Sequence, residues 1–335
     1  MSRTVLILGN MIAAEARDAL LLNDGIKLIA SEPDPSNRSI PELFEAFRPD
    51  AVILRKGRID AHAIAAAPNL EVIAKHGVGV DTVDVAAASA AGIAVMVTTG
   101  ANATAVAEHA LTLTLCALKQ ITTLNRRLSE GHWDKASHRG LELSGKRVGL
   151  IGYGRIGQEF ARLLKTFHVE ITAFVPNPRP PHPRFHHVQL TEDLDQLLRS
   201  NDIVSLHCPL TVETRHLLGE YEFAKMQAGT MVINTARGGL IDEAALLKAL
   251  QTGQVGAAGL DCLAEEPPSI PHALLDHPGV VATPHIAWAT HETSRQMGLM
   301  AVNNVMSVLS RRKIPAANTV NYNQLIPKVD RATSP

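Results

Sequence analysis

Gly152-Tyr153-Gly154-Arg155-Ile156-Gly157 spaces its glycines so that a backbone turn can receive a diphosphate. The hexapeptide follows the apolar run Val148-Ile151 and opens a helical pattern, Ile156-Thr166, the context in which G-x-G-x-x-G acquires meaning. Gly152 permits the tight turn, Gly154 lets the backbone approach a pyrophosphate, and Gly157 allows the helix to pack closely on the strand. The helix start adds N–H donors and partial positive charge, so the backbone of Arg155 and Ile156 belongs to the site as well. A dinucleotide site normally carries an acid about 20 residues further on, to bind a ribose. Here the next strand ends Phe174-Val175-Pro176-Asn177-Pro178-Arg179, without a carboxylate. Val175, Asn177 and Arg179 are therefore expected around the adenosine ribose, with Arg179 able to pair with a 2′-phosphate. NADP(H) is expected to be accepted at least as well as NAD(H), and slightly favoured. Arg237 and His285 each follow an apolar strand-like run, Met231-Asn234 and Val280-Thr283. A guanidinium can hold a carboxylate in its fork, and an imidazole can exchange a proton near neutrality.

These residues need a scaffold, and the apolar periodicity supplies one. Short β-branched runs at Val5-Leu8, Lys27-Ala30, Ala51-Leu54, Val72-Lys75 and Ile93-Val97 alternate with helical patterns at Ile12-Leu22, Pro41-Phe47 and Thr82-Ala91. The alternation restarts with Val148-Ile151, Glu170-Val175, Ile203-Leu206, Met231-Asn234, Ala257-Leu260 and Val280-Thr283, separated by helical patterns that include Glu243-Thr252. Two parallel sheets with crossover helices follow. Val106 to Arg127 is a long helical pattern without Gly or Pro, suited to bridging two lobes, which puts a boundary near residue 100. Glu292 to Leu309 reads as a terminal helix, and the Pro-rich stretch from Pro176 to Pro183 as an extended loop.

Composition narrows the partner. The 335 residues suit about two domains. With 46% hydrophobic and 19% charged residues, the chain is globular rather than disordered. A net charge of −1 provides no field toward nucleic acid or an anionic membrane, so a small molecule is the expected partner. Cys116, Cys208 and Cys262 are dispersed and form no C-x-x-C pair, so neither a metal site nor a disulfide framework is expected, and a reduced, cytoplasmic setting fits. The uncharged stretch from Val85 to Ala107 is broken by Ser89, Gly92, Thr98, Thr99, Gly100, Asn102 and Thr104, and reads as soluble structure.

In order along the chain come His76-Gly77-Val78-Gly79-Val80-Asp81, Val106-Ala107-Glu108-His109, the glycine hexapeptide, His207-Cys208-Pro209-Leu210-Thr211, Asn234-Thr235-Ala236-Arg237-Gly238, Asp261 to Pro267, and Thr283-Pro284-His285-Ile286-Ala287-Trp288. In these blocks, spread over residues 45 to 321, the chain resembles the D-isomer-specific 2-hydroxyacid dehydrogenases. The resemblance implies an α/β protein of two Rossmann-like or flavodoxin-like lobes. A discontinuous substrate domain would comprise 1–102 and 286–335, and a dinucleotide-binding domain 103–285, with the substrate in the cleft. It implies NAD(P)-dependent interconversion of a small 2-oxoacid, of the hydroxypyruvate or glyoxylate kind, and its D-2-hydroxyacid. His285 would exchange the proton, Glu266 would orient the imidazole and raise its pKa, and Arg237 would hold the substrate. Val78 and Gly79 would present N–H groups to the substrate carboxylate, with Arg55 a second cation. Thr104, Cys208, Pro209, Thr214, Thr235 and Ala236 would contact the cofactor, and Asp261 would accept from the nicotinamide amide. Glu108-His109 would be structural, and a homodimer is implied, with Val106-Arg127 a candidate interface.

Alternatives within and beyond the family separate by chemistry. Formate dehydrogenases resemble the group but carry glutamine where Glu266 stands. Long phosphoglycerate dehydrogenases add a regulatory domain, whereas 14 residues follow Asn321, so a phosphoglycerate enzyme without that domain is the corresponding alternative. A corepressor-like protein that binds NAD(H) with little turnover would keep much of the same constellation.

Overall fold

The computed structural model describes residues 2–32, 38–176, 187–312 and 314–325. The chain divides into two compact units, Met1–Asn102 with Ala289–Pro335, and Ala103–Trp288.

In the first unit, β1 (Arg3–Leu8), β2 (Ile26–Ala30), β3 (Ala51–Leu54), β4 (Val72–Lys75) and β5 (Ala94–Met96) form a parallel sheet of order β2-β1-β3-β4-β5. Strands β3 to β5 bury almost every residue, the pattern of a sheet covered on both faces. α2 (Ile40–Phe47) and α3 (Ala61–Ala65) contribute to one cluster, with Leu43, Phe44 and Ile64 inside it. α1 (Ala14–Leu21) and α11 (His291–Leu309) contribute to the other. Gly298 of α11 lies so close to α1 that an added Cβ would come within 2.8 Å of the Ala16 Cβ. The terminal helix thus belongs to the first unit through direct packing. The chain then returns to β5, where buried Asn321 accepts from Val95 N at 2.9 Å and donates to Ile93 O at 2.8 Å. The uncharged stretch near residues 85–107 resolves into α4 (Val85–Ala90), β5 and the start of the next helix. Among the described residues, no helix is long and apolar enough to cross a membrane.

The second unit holds a parallel sheet of seven strands in the order β12-β11-β10-β9-β6-β7-β8. These are β6 (Arg147–Ile151), β7 (Glu170–Phe174), β8 (Val188–Thr191), β9 (Ile203–Leu206), β10 (Thr230–Asn234), β11 (Val255–Leu260) and β12 (Val280–Ala282). The strand order reverses between β6 and β9, and such a switch point opens a crevice at the C-terminal strand ends. β8 is absent from the sequence reading. It is a four-residue edge strand just beyond the Pro-rich stretch, too short for period-two alternation to stand out.

The expected single helix from Val106 to Arg127 is two. α5 (Ala103–Lys119) ends where Gln120 adopts a left-handed φ of 54°, and α6 (Ile121–Ser129) follows. Without a Gly or Pro at the break, composition alone could not mark it. α5 is a core element: it packs on α7 (Arg155–Leu164), β10, β11 and β12, and buries Val106, Leu113 and Leu118. No residue of α6 is buried.

Candidate active site

The glycine turn links β6 to α7, and its glycines are required for different reasons. Gly152 has φ 98°, and a Cβ there would come within 2.7 Å of His207 O and 2.8 Å of Cys208 N. At Gly157 a Cβ would meet Gly152 O at 2.6 Å, which is the close approach of helix to strand. Gly154 differs: its backbone is extended and a Cβ would meet nothing within 4 Å. Gly154 caps α7 without a side-chain hydrogen bond to the first turn, and the space where its Cβ would stand is open. The absent Cβ keeps that space clear, and the first-turn N–H groups of a helix are suited to an anion. His207, behind the turn, is half-buried, and burial depresses its pKa to about 4, so a neutral ring supports the glycines.

The other cofactor candidates have distinct surroundings. Thr104 is exposed at the start of α5, and Arg155 and Ile156 open α7. Val175 donates its N–H to Thr191 O on the neighbouring strand. Asn177 and Arg179 lie outside the described residues. Cys208 and exposed Pro209 follow β9, and burial raises the Cys208 thiol to about 11. Thr214 is occupied: its hydroxyl donates to Pro209 O at 2.7 Å and accepts from Thr211 N at 2.7 Å, closing the turn that presents Pro209. Thr235 Oγ1 is buried without a hydrogen-bond partner, an orphaned polar atom that a ligand at the strand ends could satisfy.

Arg237, Glu266 and His285 come from three segments that follow adjacent strands β10, β11 and β12. Asn234, which the sequence reading quoted without a role, builds the Arg237 turn. Its side chain accepts from Ala236 N at 3.0 Å and donates to Arg237 O at 2.8 Å. The signal was an Asn at a strand end, the residue type that mimics a backbone turn. Gly238 then lets the next loop in: a Cβ there would lie 1.9 Å from Leu263 C. That contact places the segment carrying Glu266 against the segment carrying Arg237.

Glu266 Oε1 accepts from Leu263 N at 3.1 Å, and its Oε2 lies 2.7 Å from His285 Nδ1. An ionised carboxylate only accepts, so Nδ1 carries the hydrogen and Nε2 is left to exchange one. The side chains stay 37% and 39% exposed, open to a ligand. The Glu266 hydrogen bond raises the His285 pKa; burial and the Arg237 charge oppose it less strongly. Burial pushes Glu266 up, but the His285 bond and charge, Leu263 N and Arg237 outweigh it and hold the carboxyl below its ordinary value. Arg237 is thus close enough to act on both members of the pair.

Asp261 has a task that the resemblance did not imply. Its Oδ1 accepts from Thr283 Oγ1 at 2.6 Å and from Ile286 N at 2.9 Å, and its Oδ2 accepts from Ala287 N at 2.8 Å. With 1% exposure it clamps the loop bearing His285, whose φ is 54°. A carboxylate offers about four acceptor sites, so three are spent on the protein. In the first unit, Val78 is exposed on the segment after β4, next to Gly79. Arg55 Nη1 donates to Asn10 O at 2.7 Å and Met11 O at 2.5 Å, holding the loop after β1, a task the sequence did not reveal. His76 lies nearby, and burial followed by the Arg55 charge lowers its pKa to about 4.

Comparison with known proteins supplies the lineage. Residues 111–287 match the family described as D-isomer specific 2-hydroxyacid dehydrogenase, NAD binding domain. The chain belongs to the D-isomer specific 2-hydroxyacid dehydrogenases. It is 39% identical over 290 residues to a D-3-phosphoglycerate dehydrogenase of Archaeoglobus fulgidus, covering 87% of this chain and 54% of that one. It is 39% identical over 300 residues to a hydroxypyruvate reductase of Thermotoga maritima, covering 88% and 95%. The chain thus spans about half the length of the phosphoglycerate dehydrogenases it matches. A glyoxylate reductase structure from Paecilomyes thermophila superposes with a TM-score of 0.85 at 31% identity, covering 96% of this chain and 99% of that one. Dehydrogenases of this family use a nicotinamide dinucleotide, and the glycine turn described above lies within the matched NAD binding domain.

The glycine geometry separates folding from binding. Gly154→Ala should leave the thermal midpoint of the cofactor-free protein unchanged, because its Cβ meets open space. It should weaken NAD(P)H binding at least about tenfold in a fluorescence titration, since a methyl group then occupies the ligand's approach. Gly157→Ala should instead lower the midpoint itself, because its clash is with Gly152 O.

The imidazole–carboxylate pair dictates a pH response. If a bound oxoacid takes its proton from His285, the raised pKa extends reduction above the ordinary imidazole range, and turnover falls as pH rises through that pKa. Glu266→Gln should move this alkaline limb to lower pH, by about one unit as an order of magnitude. A pH–kcat profile in the reductive direction checks it, and an unmoved limb would contradict the pairing.

Proposed function

We propose that the chain interconverts a small 2-oxoacid and its D-2-hydroxyacid, with His285 exchanging the proton at its Nε2. The observation carrying this reading is the 2.7 Å bond between His285 Nδ1 and Glu266 Oε2, with the charge of Arg237 acting on both groups. A bound nicotinamide supplies or receives the hydride. Glu266 sets the tautomer of the neutral ring and favours its protonated form, and Arg237 holds the substrate carboxylate while polarising the carbonyl oxygen. In the first unit, the backbone N–H groups of Val78 and Gly79 are the proposed carboxylate donors, with Arg55 a cation for the same anion.

The first turn of α7, with Gly152, Gly154, Arg155, Ile156 and Gly157, would hold the diphosphate. Thr104, Val175, Cys208 and Pro209 would flank the rest of the dinucleotide, Thr235 and Ala236 the ring end, and the fourth acceptor site of Asp261 the amide. β7 ends in Phe174-Val175-Pro176 without a carboxylate, so nothing there repels a 2′-phosphate, which supports use of NADPH as well as NADH. Hydroxypyruvate or glyoxylate is the proposed substrate class. This follows two relatives, the Thermotoga maritima hydroxypyruvate reductase and the Paecilomyes thermophila glyoxylate reductase.

A homodimer is proposed through a surface that keeps only the end of the stretch Val106-Arg127, whose greater part packs internally. α5 is an internal helix, whereas Ile121, Leu128, Trp133 and Leu141 are 49%, 56%, 77% and 54% exposed within 21 residues of one another. Four large apolar side chains exposed along one segment suit cover by a second copy.

A panel of 2-oxoacids assayed with NADH and NADPH tests the reading. Hydroxypyruvate or glyoxylate should turn over, with NADPH at least matching NADH in kcat/KM. His285→Asn should lower kcat by about 10² or more at nearly unchanged cofactor Kd. Near-normal turnover of that variant would remove His285 from the chemistry, and turnover of no 2-oxoacid would defeat the enzymatic reading.

A further inference from the structure

Beside the candidate site lies a hydrogen-bonded chain whose first two members, His109 and Thr283, the proposed chemistry does not use. His109, on α5, places Nε2 2.8 Å from Thr283 Oγ1 and 3.4 Å from Asp261 Oδ1. Thr283 donates its hydroxyl hydrogen to Asp261, which also receives Ile286 N and Ala287 N. The protons can be counted. Thr283 has one hydrogen and gives it to the carboxylate, so the remaining partner, His109 Nε2, must donate to Thr283 Oγ1. Burial opposes ionisation of Asp261, but the bonds from the His109 side, Thr283, Ala287 and Ile286 outweigh it, holding the carboxyl below its ordinary value. The chain therefore runs in one direction, from imidazole to hydroxyl to carboxylate.

The chain ends on the loop that displays His285. Thr283 precedes that residue by two positions, and Ile286 and Ala287 follow it directly, so Asp261 grips the loop on both sides of His285. His285 itself has φ 54°, a backbone state that a residue with a β-carbon keeps only where its surroundings over-determine it. We infer that His109 is a positioning residue for the reaction: by donating to Thr283 it locks the Thr283–Asp261 clamp and so holds the His285 ring on Glu266. The inference rests on the reading of His285 as the proton-exchanging group, but its structural half can be observed without turnover. His109 acts through the loop. The charged groups that bear directly on the His285 ring are Glu266, Arg237 and Asp261.

Side-chain NMR titration of the histidines in the full chain reads the clamp, with the His285 signal assigned by its loss in His285→Asn. In His109→Leu and in Thr283→Val the His285 pKa should fall by about half a unit or more toward the ordinary imidazole value, as its bond to Glu266 loosens. The value of kcat should fall about tenfold while cofactor KM stays within about twofold. His109→Gln and Thr283→Ser, which keep a donor and a hydroxyl, should restore both readouts. Because the two residues act in series, the double variant should lose about as much as either single one. An unmoved His285 pKa in His109→Leu, equal damage in His109→Gln, or multiplicative losses in the double variant would each overturn the inference. Should His109→Leu fail to fold, Thr283→Val against Thr283→Ser decides the same point. If His285→Asn retained full turnover, the proton-exchange reading would fail, while the NMR shift would still decide whether the clamp orients the ring.

Discussion

An imidazole and a carboxylate 19 residues apart share a hydrogen across 2.7 Å, and the functional architecture of the second unit is arranged around that contact. It requires two loops from neighbouring strands to reach each other with sub-ångström economy. Gly238 makes room for one of them, since even a methyl group there would overlap the backbone of Leu263. Asp261 fixes the other, with three acceptor sites committed to the loop around His285. Asn234 and Glu266 then use their own side chains to shape the turns in which Arg237 and Leu263 lie. Backbone groups at the strand ends, which would otherwise face a crevice unpaired, are thus satisfied by side chains that also set the geometry.

Electrostatics in this region is a balance rather than a sum of attractions. Glu266 raises the imidazole and Arg237 lowers it, while burial penalises the charge on both members of the pair. The outcome is a hydrogen-bonded pair that is open enough to meet a ligand and constrained enough to keep the Nδ1 hydrogen pointed at Glu266. Asp261 occupies the opposite extreme. It is almost fully enclosed, and its carboxyl is held below the ordinary value because donors from Thr283, Ile286 and Ala287, with His109 beyond, converge on it.

The glycine turn shows how one motif can carry separate demands. Two of its glycines answer to the protein itself, one to the backbone after β9 and one to the turn's own carbonyl, and the third answers to empty space. Conformational need and steric need are visible in the folded chain. The need at Gly154 is not visible in the folded chain's own contacts, which is why the proposed diphosphate is assigned to that side of the turn.

Alternating apolar runs were enough to read two parallel sheets and the residues at their C-terminal edges, because period and burial are local properties of the chain. The ordered blocks likewise identified Arg237, Glu266 and His285 as a group, and the folded chain brings them to neighbouring strand ends. Three features lay beyond that reach. The left-handed break at Gln120 has no compositional mark, and the four-residue β8 earns its place only by pairing with β7. The partner of Asp261 could not be chosen from the sequence either, since Thr283, Ile286 and Ala287 are distant from it until β11 and β12 lie side by side. Sequence by itself determined which chemical groups are present and on which kind of element each stands. Tertiary structure alone decided which lone pair each donor occupies, because a hydrogen bond is settled by tenths of an ångström that only packing can set.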